Sequence, residues 1–255
     1  TIPNILRRLT AEGAMSQVFI PIYSEILEHK NRDQAKRFAA KTLGLVLAVT
    51  SILTGIGIIF APQLVYLLSA GFASDPEKFD LTVFLTRIMF PYLILVSLVS
   101  WSSGVLNTER RFAVSAASPI LLNFGIIVSA LGISPWLEEP VIGVGIGVLL
   151  GGIIQIIFQI PSLIKVGHFF YPKSFFNDHN INNLLKLLGP SLLGLAVYQI
   201  NIIVLRNLAS FMPSGQVTHY YNASRLSEFA LGIFAFAITT ASFPELSKQV
   251  AKEDW

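Results

Sequence analysis

The sequence predicts an all-α fold, a polytopic transmembrane bundle of about seven helices. Two observations carry this. The chain of 255 residues is 53% hydrophobic and only 13% charged, with a mean hydropathy of +0.64. A soluble domain carries about 25% charge and cannot hide so much apolar surface in one core. The apolar residues also fall into runs of the length that a membrane helix needs, about 20 residues each. No residue is Cys, which leaves no disulfide framework, thiol nucleophile or thiolate metal site.

The first run, 1–27, is the most polar. The next are 42–69, 82–106, 113–133 and 141–164, followed by 187–211 and 219–246. Short connections with turn formers separate them: Asn31-Arg32-Asp33, Ser74-Asp75-Pro76, Asn107-Thr108 and Glu138-Glu139-Pro140. The chain opens on Thr1 rather than Met and ends just past an apolar run, so we expect a segment of a longer protein.

Charge placement tests the topology. Lys30, Arg32, Lys36, Arg37 and Lys41 follow the first run, and Arg110 and Arg111 follow the third. Lys165, Lys173 and Lys186 follow the fifth, and Lys248 and Lys252 the seventh. The alternate connections hold one base, Lys78, among Asp75, Glu77, Asp80, Glu138 and Glu139. The positive-inside rule therefore places the C-terminal end in the cytoplasm.

The stretch 167–186 is longer and mixes Phe169, Phe170, Tyr171, Phe175 and Phe176 with Lys173, which suits the headgroup region. It reads equally as a linker between two bundles or as an ordinary loop with an aromatic anchor. Gly143, Gly147 and Gly151 recur every fourth residue, a spacing for close helix packing. Pro91, Pro119, Pro161 and Pro190 lie within or at the ends of helices.

Five bases remain inside the runs: Arg7, Arg8, Arg87, Arg206 and Arg225. An arginine at the bilayer centre costs roughly 2.5–3.5 kcal/mol, so such residues face a bundle interior or a water-filled cavity. Arg87 and Arg206 lie near helix ends and can snorkel to the interface. Arg8 can meet Glu12 at i,i+4, and Arg225 can meet Glu228 at i,i+3. Arg7 points about 100° away from Arg8 around the helix, so Glu12 does not serve both. An unpaired guanidinium suits phosphate oxygens taken two at a time. A phosphate-binding cavity and a set of intramembrane salt bridges are the two readings of these charges. A weak echo relates Arg8-Leu9-Thr10 and Glu12 to Arg225-Leu226-Ser227-Glu228, as repeats in transporters do.

Enzyme motifs fail. Neither G-x-S-x-G nor H-E-x-x-H occurs, and Pro172 stands where a phosphate loop needs glycine. His29, His168, His179 and His219 lack metal-ligand spacing. We expect no catalytic activity, cofactor, metal or nucleic-acid partner.

The run Pro3-Asn4-Ile5-Leu6-Arg7-Arg8, then Ala11-Glu12-Gly13-Ala14, Ser16-Gln17 and Pro21, closely resembles the signature helix of the MurJ (MviN) lipid II flippases. The likeness continues through Gly71-Phe72-Ala73, Phe90-Pro91-Tyr92, Gln159-Ile160-Pro161, Gly189-Pro190 and Tyr221 to Glu228. The resemblance implies a two-lobe transporter of the multidrug/oligosaccharidyl-lipid/polysaccharide exporter superfamily, with this chain covering roughly the second to eighth helices. Residues 1–166 are then most of the N-terminal lobe, 167–186 the cytoplasmic linker, and 187–255 the start of the C-terminal lobe. The implied function is alternating-access flipping of a lipid-linked diphosphate cell-wall precursor, lipid II, in the bacterial inner membrane. Arg7 and Arg225 match positions that engage the diphosphate, Glu12 and Glu228 match nearby acids, and Arg8 joins them as a candidate. Ser224 replaces an Asp that some members carry. Other cell-wall synthesis proteins are candidate partners. The alternatives are a drug or cation antiporter, or a polysaccharide-lipid flippase, of the same superfamily, and a non-transporting membrane scaffold.

Overall fold

The structure, a computed structural model, describes residues 18–29, 31–176, 178–213, 215–227 and 229. In chain order the helices are α1 (Ile20–His29), α2 (Arg32–Ile59), α3 (Ala61–Leu68), α4 (Pro76–Met89) and α5 (Tyr92–Thr108). Then follow α6 (Phe112–Gly132), α7 (Pro140–Lys165), α8 (His179–Ser210) and a helical stretch at 216–227, α9. Among the described residues there is no strand. Four units are long and apolar enough to cross a membrane: 32–59, 76–108, 112–136 and 140–165. The chain is a multi-pass membrane protein.

Two of the expected runs are broken. The run expected at 42–69 is α2 and α3, separated at Phe60, with Pro62 opening the second piece. The run expected at 82–106 is α4 and α5, separated at Phe90-Pro91, because Pro91 has no N–H to continue the ladder. Other boundaries lie further out than apolarity suggested. α2 begins at Arg32, where the Asn31 side chain accepts the Gln34 N–H. Lys36, Arg37 and Lys41 therefore ride on a helix that emerges from the apolar zone, rather than in a loop. α8 likewise begins at His179, within the stretch assigned to the linker, where Asp178 accepts the N–H groups of Asn180 and Ile181.

The side chains are distributed inside out relative to a soluble bundle. In α6 the buried positions are Ser118, Gly125 and Ser129, while Ile120, Phe124, Ile127, Val128 and Leu131 are exposed. α7 buries five glycines with Gln155, Gln159 and Leu163. Lipid tails are as apolar as leucine, so helices associate through close packing and interhelical hydrogen bonds instead. A Cβ on Gly125 would lie 2.6 Å from the Cα of Gly151, and one on Gly147 would lie 2.8 Å from the Ser129 Cβ. The glycine stripe is a packing seam between α6 and α7. Polar contacts join it: Ser129 Oγ donates to the Gly143 carbonyl at 2.6 Å, and Gln155 Nε2 to the Ser118 carbonyl at 2.8 Å. Gln159 Nε2 donates to Ser103 Oγ at 3.0 Å, bringing α5 into the same network.

A larger apolar core lies at the end where α1 stops and α2 starts. Phe19, Tyr23, Phe38, Leu43, Trp101, Leu106 and Leu163 are buried there with Ile181 and Leu184 of α8. The first turns of α8 thus pack into the same core as the earlier helices.

Candidate functional site

Of the site residues expected from sequence, Arg7, Arg8, Glu12 and Glu228 lie outside the described residues. Arg225 is described. It sits on α9, exposed, with Nη2 donating to the Tyr221 hydroxyl at 2.6 Å and the guanidinium 5.0 Å from the Tyr221 ring centroid. The two residues are one helical turn apart, so α9 itself aims the guanidinium. Arg87, expected to be structural, donates Nε to the Ile58 carbonyl at 3.3 Å. That carbonyl is in the last turn of α2, where helical acceptors lack partners and a cation complements the dipole.

Among the described residues, the fold gathers the base-rich segments around Arg32, Arg110 and Lys165 at one end of the bundle, and contacts that sequence reasoning missed hold them together. Arg32 Nη2 meets both Glu109 carboxylate oxygens, at 3.1 and 3.3 Å, and the Val166 carbonyl at 3.3 Å. It so joins the start of α2 to the ends of α5 and α7. Tyr23 and His168, both buried, share a hydrogen bond of 2.8 Å between α1 and the segment after α7. Burial first, then the charges of Lys36 and Arg32, push the His168 pKa down from 6.5 to about 4, so its ring is neutral near pH 7.

His168 reaches this position because α7 ends in a Schellman turn. His168 N–H donates to the Leu163 carbonyl and Gly167 N–H to that of Ile164, both at 2.9 Å, with Gly167 at φ 77°. α5 ends the same way, with Arg111 N–H on the Leu106 carbonyl, but Arg110 occupies the left-handed position at φ 59°. The signal for the first turn was present in sequence as Gly167 after an apolar run. Nothing in sequence paired His168 with Tyr23, 145 residues away.

α8 is tied to the earlier helices at both of its ends. At the basic end Lys41 Nζ lies 2.7 Å from Asp178 Oδ2. Burial alone would raise the Asp178 pKa, but Lys41 and the N–H groups of Ile181 and Asn180 outweigh it and hold the carboxyl below its ordinary value. At the opposite end Asn207 Nδ2 donates to the Leu67 carbonyl at 2.7 Å, and Gly71 N–H to Ser210 Oγ at 3.0 Å. The backbones touch there: a Cβ on Gly71 would lie 2.2 Å from the Ser210 carbonyl oxygen. Among the described residues no three His, Asp or Glu side chains converge as a metal site would require.

Comparison with known proteins places this arrangement. A profile of the family described as "Lipid II flippase MurJ" matches residues 1–255. The chain is 37% identical over 254 residues to a "Probable lipid II flippase MurJ" of Haemophilus influenzae, covering 97% of this chain and 50% of that protein. It is 38% identical over 255 residues to the protein of the same description from Vibrio cholerae, covering 97% and 49%. The chain therefore spans about half the length of the curated relatives it matches. A solved structure, "Lipid II flippase MurJ, inward closed conformation", superposes with a TM-score of 0.79 at 29% identity, covering 97% of this chain and 50% of that one. With a family match along its whole length, the chain belongs to the lipid II flippase MurJ family.

Proposed function

We propose that the whole protein flips lipid II, a lipid-linked peptidoglycan precursor, from the cytoplasmic to the outer leaflet of the bacterial inner membrane by alternating access. The observation that carries this is the family match across all 255 residues, joined to the superposition on a structure titled as a lipid II flippase. The protein is then a transporter rather than a catalyst. Residues 1–166 supply most of one lobe, 167–186 link the lobes at the cytoplasmic face, and 187–255 begin the second lobe. The gathering of the bases at one end supports a cytoplasmic placement of that end. The contacts of Asn207 and Ser210 with Leu67 and Gly71 are then the point at which the first helix of the second lobe closes against the first lobe on the outer side.

Arg7 and Arg225 engage the diphosphate, with Arg8, Glu12 and Glu228 beside them. The support for Arg225 is its exposed guanidinium, oriented by Tyr221 and of the fork geometry that phosphate oxygens accept. The cargo's charge also sets an energy source. An inside-negative potential favours outward movement of negative charge by about 2.3 kcal/mol per charge per 100 mV, which drives the flip without ATP. The test is outward exposure of lipid II in cells depleted of their own flippase and complemented with variants at equal expression. Arg7→Ala and Arg225→Ala abolish exposure, whereas Arg87→Ala, which caps α2, retains it. Normal exposure with both Arg7→Ala and Arg225→Ala removes the diphosphate mechanism.

A further inference from the structure

A cavity of about 310 Å³ opens at the basic end, between the first turns of α2, Trp101 of α5 and the segment after α7. Lys36, Arg37 and Lys173 line it, with Asp33 as the one carboxylate. His168 also lines it and is neutral near pH 7, so the wall carries an excess of positive charge. Two other cations of this end have carboxylate partners: Arg32 has Glu109, and Lys41 has Asp178. Among the described residues, Lys36, Arg37 and Lys173 form no ion pair. Like charges on the wall of one cavity repel, and an anion between them offsets the repulsion.

The wall is built rather than fortuitous. Lys173 N–H donates to the Ala40 carbonyl at 2.9 Å, and the chain crosses α2 so closely that a Cβ on Gly44 would lie 2.2 Å from the Lys173 carbonyl oxygen. The Phe170 ring packs 5.8 Å from Trp101, whose Nε1 donates to the Ala39 carbonyl at 3.0 Å. The left-handed turn at Gly167 leaves room for Lys36, whose Nζ lies 2.7 Å from where a Cβ would sit. Beside the cavity Phe169 and Tyr171 are 55% and 70% exposed, as aromatic side chains at the headgroup level are. The volume is at the lower end of the roughly 300–1,000 Å³ of ligand pockets.

We propose that this cavity binds the phosphate headgroup of an anionic phospholipid in the leaflet at the basic end. Lys36, Arg37 and Lys173 hold the phosphodiester, and Phe169 and Tyr171 flank the glycerol and upper acyl chains. A bound lipid then bridges α2 and the segment between α7 and α8, stiffening the connection between the two parts of the chain. The site does not involve Arg225, which follows the opposite end of α8, and it stands whether or not the arginines engage a diphosphate.

The test uses the whole protein, purified and incubated with equimolar phosphatidylglycerol and phosphatidylcholine, with retained lipid counted by native mass spectrometry. Wild type retains phosphatidylglycerol in preference. The triple substitution Lys36→Gln, Arg37→Gln, Lys173→Gln lowers that preference at least five-fold, whereas Arg111→Gln with Lys165→Gln, bases of the same end outside the cavity, leaves it in place. The pair Lys36→Arg, Lys173→Arg also keeps it, which separates lost charge from lost fold. Equal preference in wild type and the triple variant overturns the proposal. So does displacement of the lipid by millimolar inorganic phosphate, which assigns the site to a soluble phosphate instead.

Discussion

Replacing His168 by Gln removes the acid sensitivity of the basic end. The wild-type ring is 7% exposed and is held neutral down to about pH 4, against an ordinary 6.5. Between these values the unfolded chain binds a proton that the folded chain refuses, so stability falls as pH falls. Nothing is lost above pH 6.5, the loss grows below it, and it levels off once the folded ring protonates. At pH 5 the gap is about 2 kcal/mol. On the scale of domains of 150–250 residues this is roughly 4–8 °C in Tm. The assay is thermal unfolding of the purified protein in detergent at pH 7.5, 6.5, 5.5 and 5.0, wild type beside His168→Gln. Glutamine keeps a polar partner for Tyr23 and does not titrate, so the difference between the profiles isolates the imidazole. Asp178, held below its ordinary value, still carries its charge at pH 5 and does not enter the difference. Parallel profiles would refute the reasoning and mean that water reaches the ring in the folded state.

Two further outcomes follow from backbone geometry. Gly44→Ala places a methyl 2.2 Å from the Lys173 carbonyl oxygen, so the segment must lift off α2. We expect a loss of roughly 1–3 kcal/mol, the scale of overpacking, read as a lower Tm with faster hydrogen exchange at Lys173. Arg110→Gly acts in the opposite direction. It relieves a left-handed residue that costs roughly 1–2 kcal/mol, less the entropy that glycine adds to the unfolded chain. A rise in Tm of a few degrees is expected, and no rise means that the Arg110 side chain makes up the difference.

The family resemblance rested on residues that stand close together in the chain, such as Pro3 to Glu12 and Tyr221 to Glu228. Most of those expected site residues lie outside the described part of the structure, and Arg225 alone is seen, paired with Tyr221 one turn away. An i,i+4 contact is legible in sequence because helix geometry alone creates it. The contact of His168 with Tyr23 is not, because 145 residues separate them and the folding of α2, α5 and α7 between them decides the distance.

The sequence by itself determined the solvent and the helical class, and it set an expectation for the topology. Apolar run length answers to bilayer thickness, and the alternation of bases answers to insertion, both of which act along the chain before helices pack. It also marked Gly143, Gly147 and Gly151 as a packing stripe, since one helix face is set by periodicity alone. Only the tertiary structure decided which helix that stripe meets, α6 through Gly125 and Ser129. Only it broke the apolar runs at Phe60 and Phe90, carried α2 back to Arg32, and left Lys36, Arg37 and Lys173 around one cavity while pairing Arg32 and Lys41. The physical reason is the same in each case. Hydropathy records the average environment of a segment, whereas the partner of a charge depends on where distant segments come to rest.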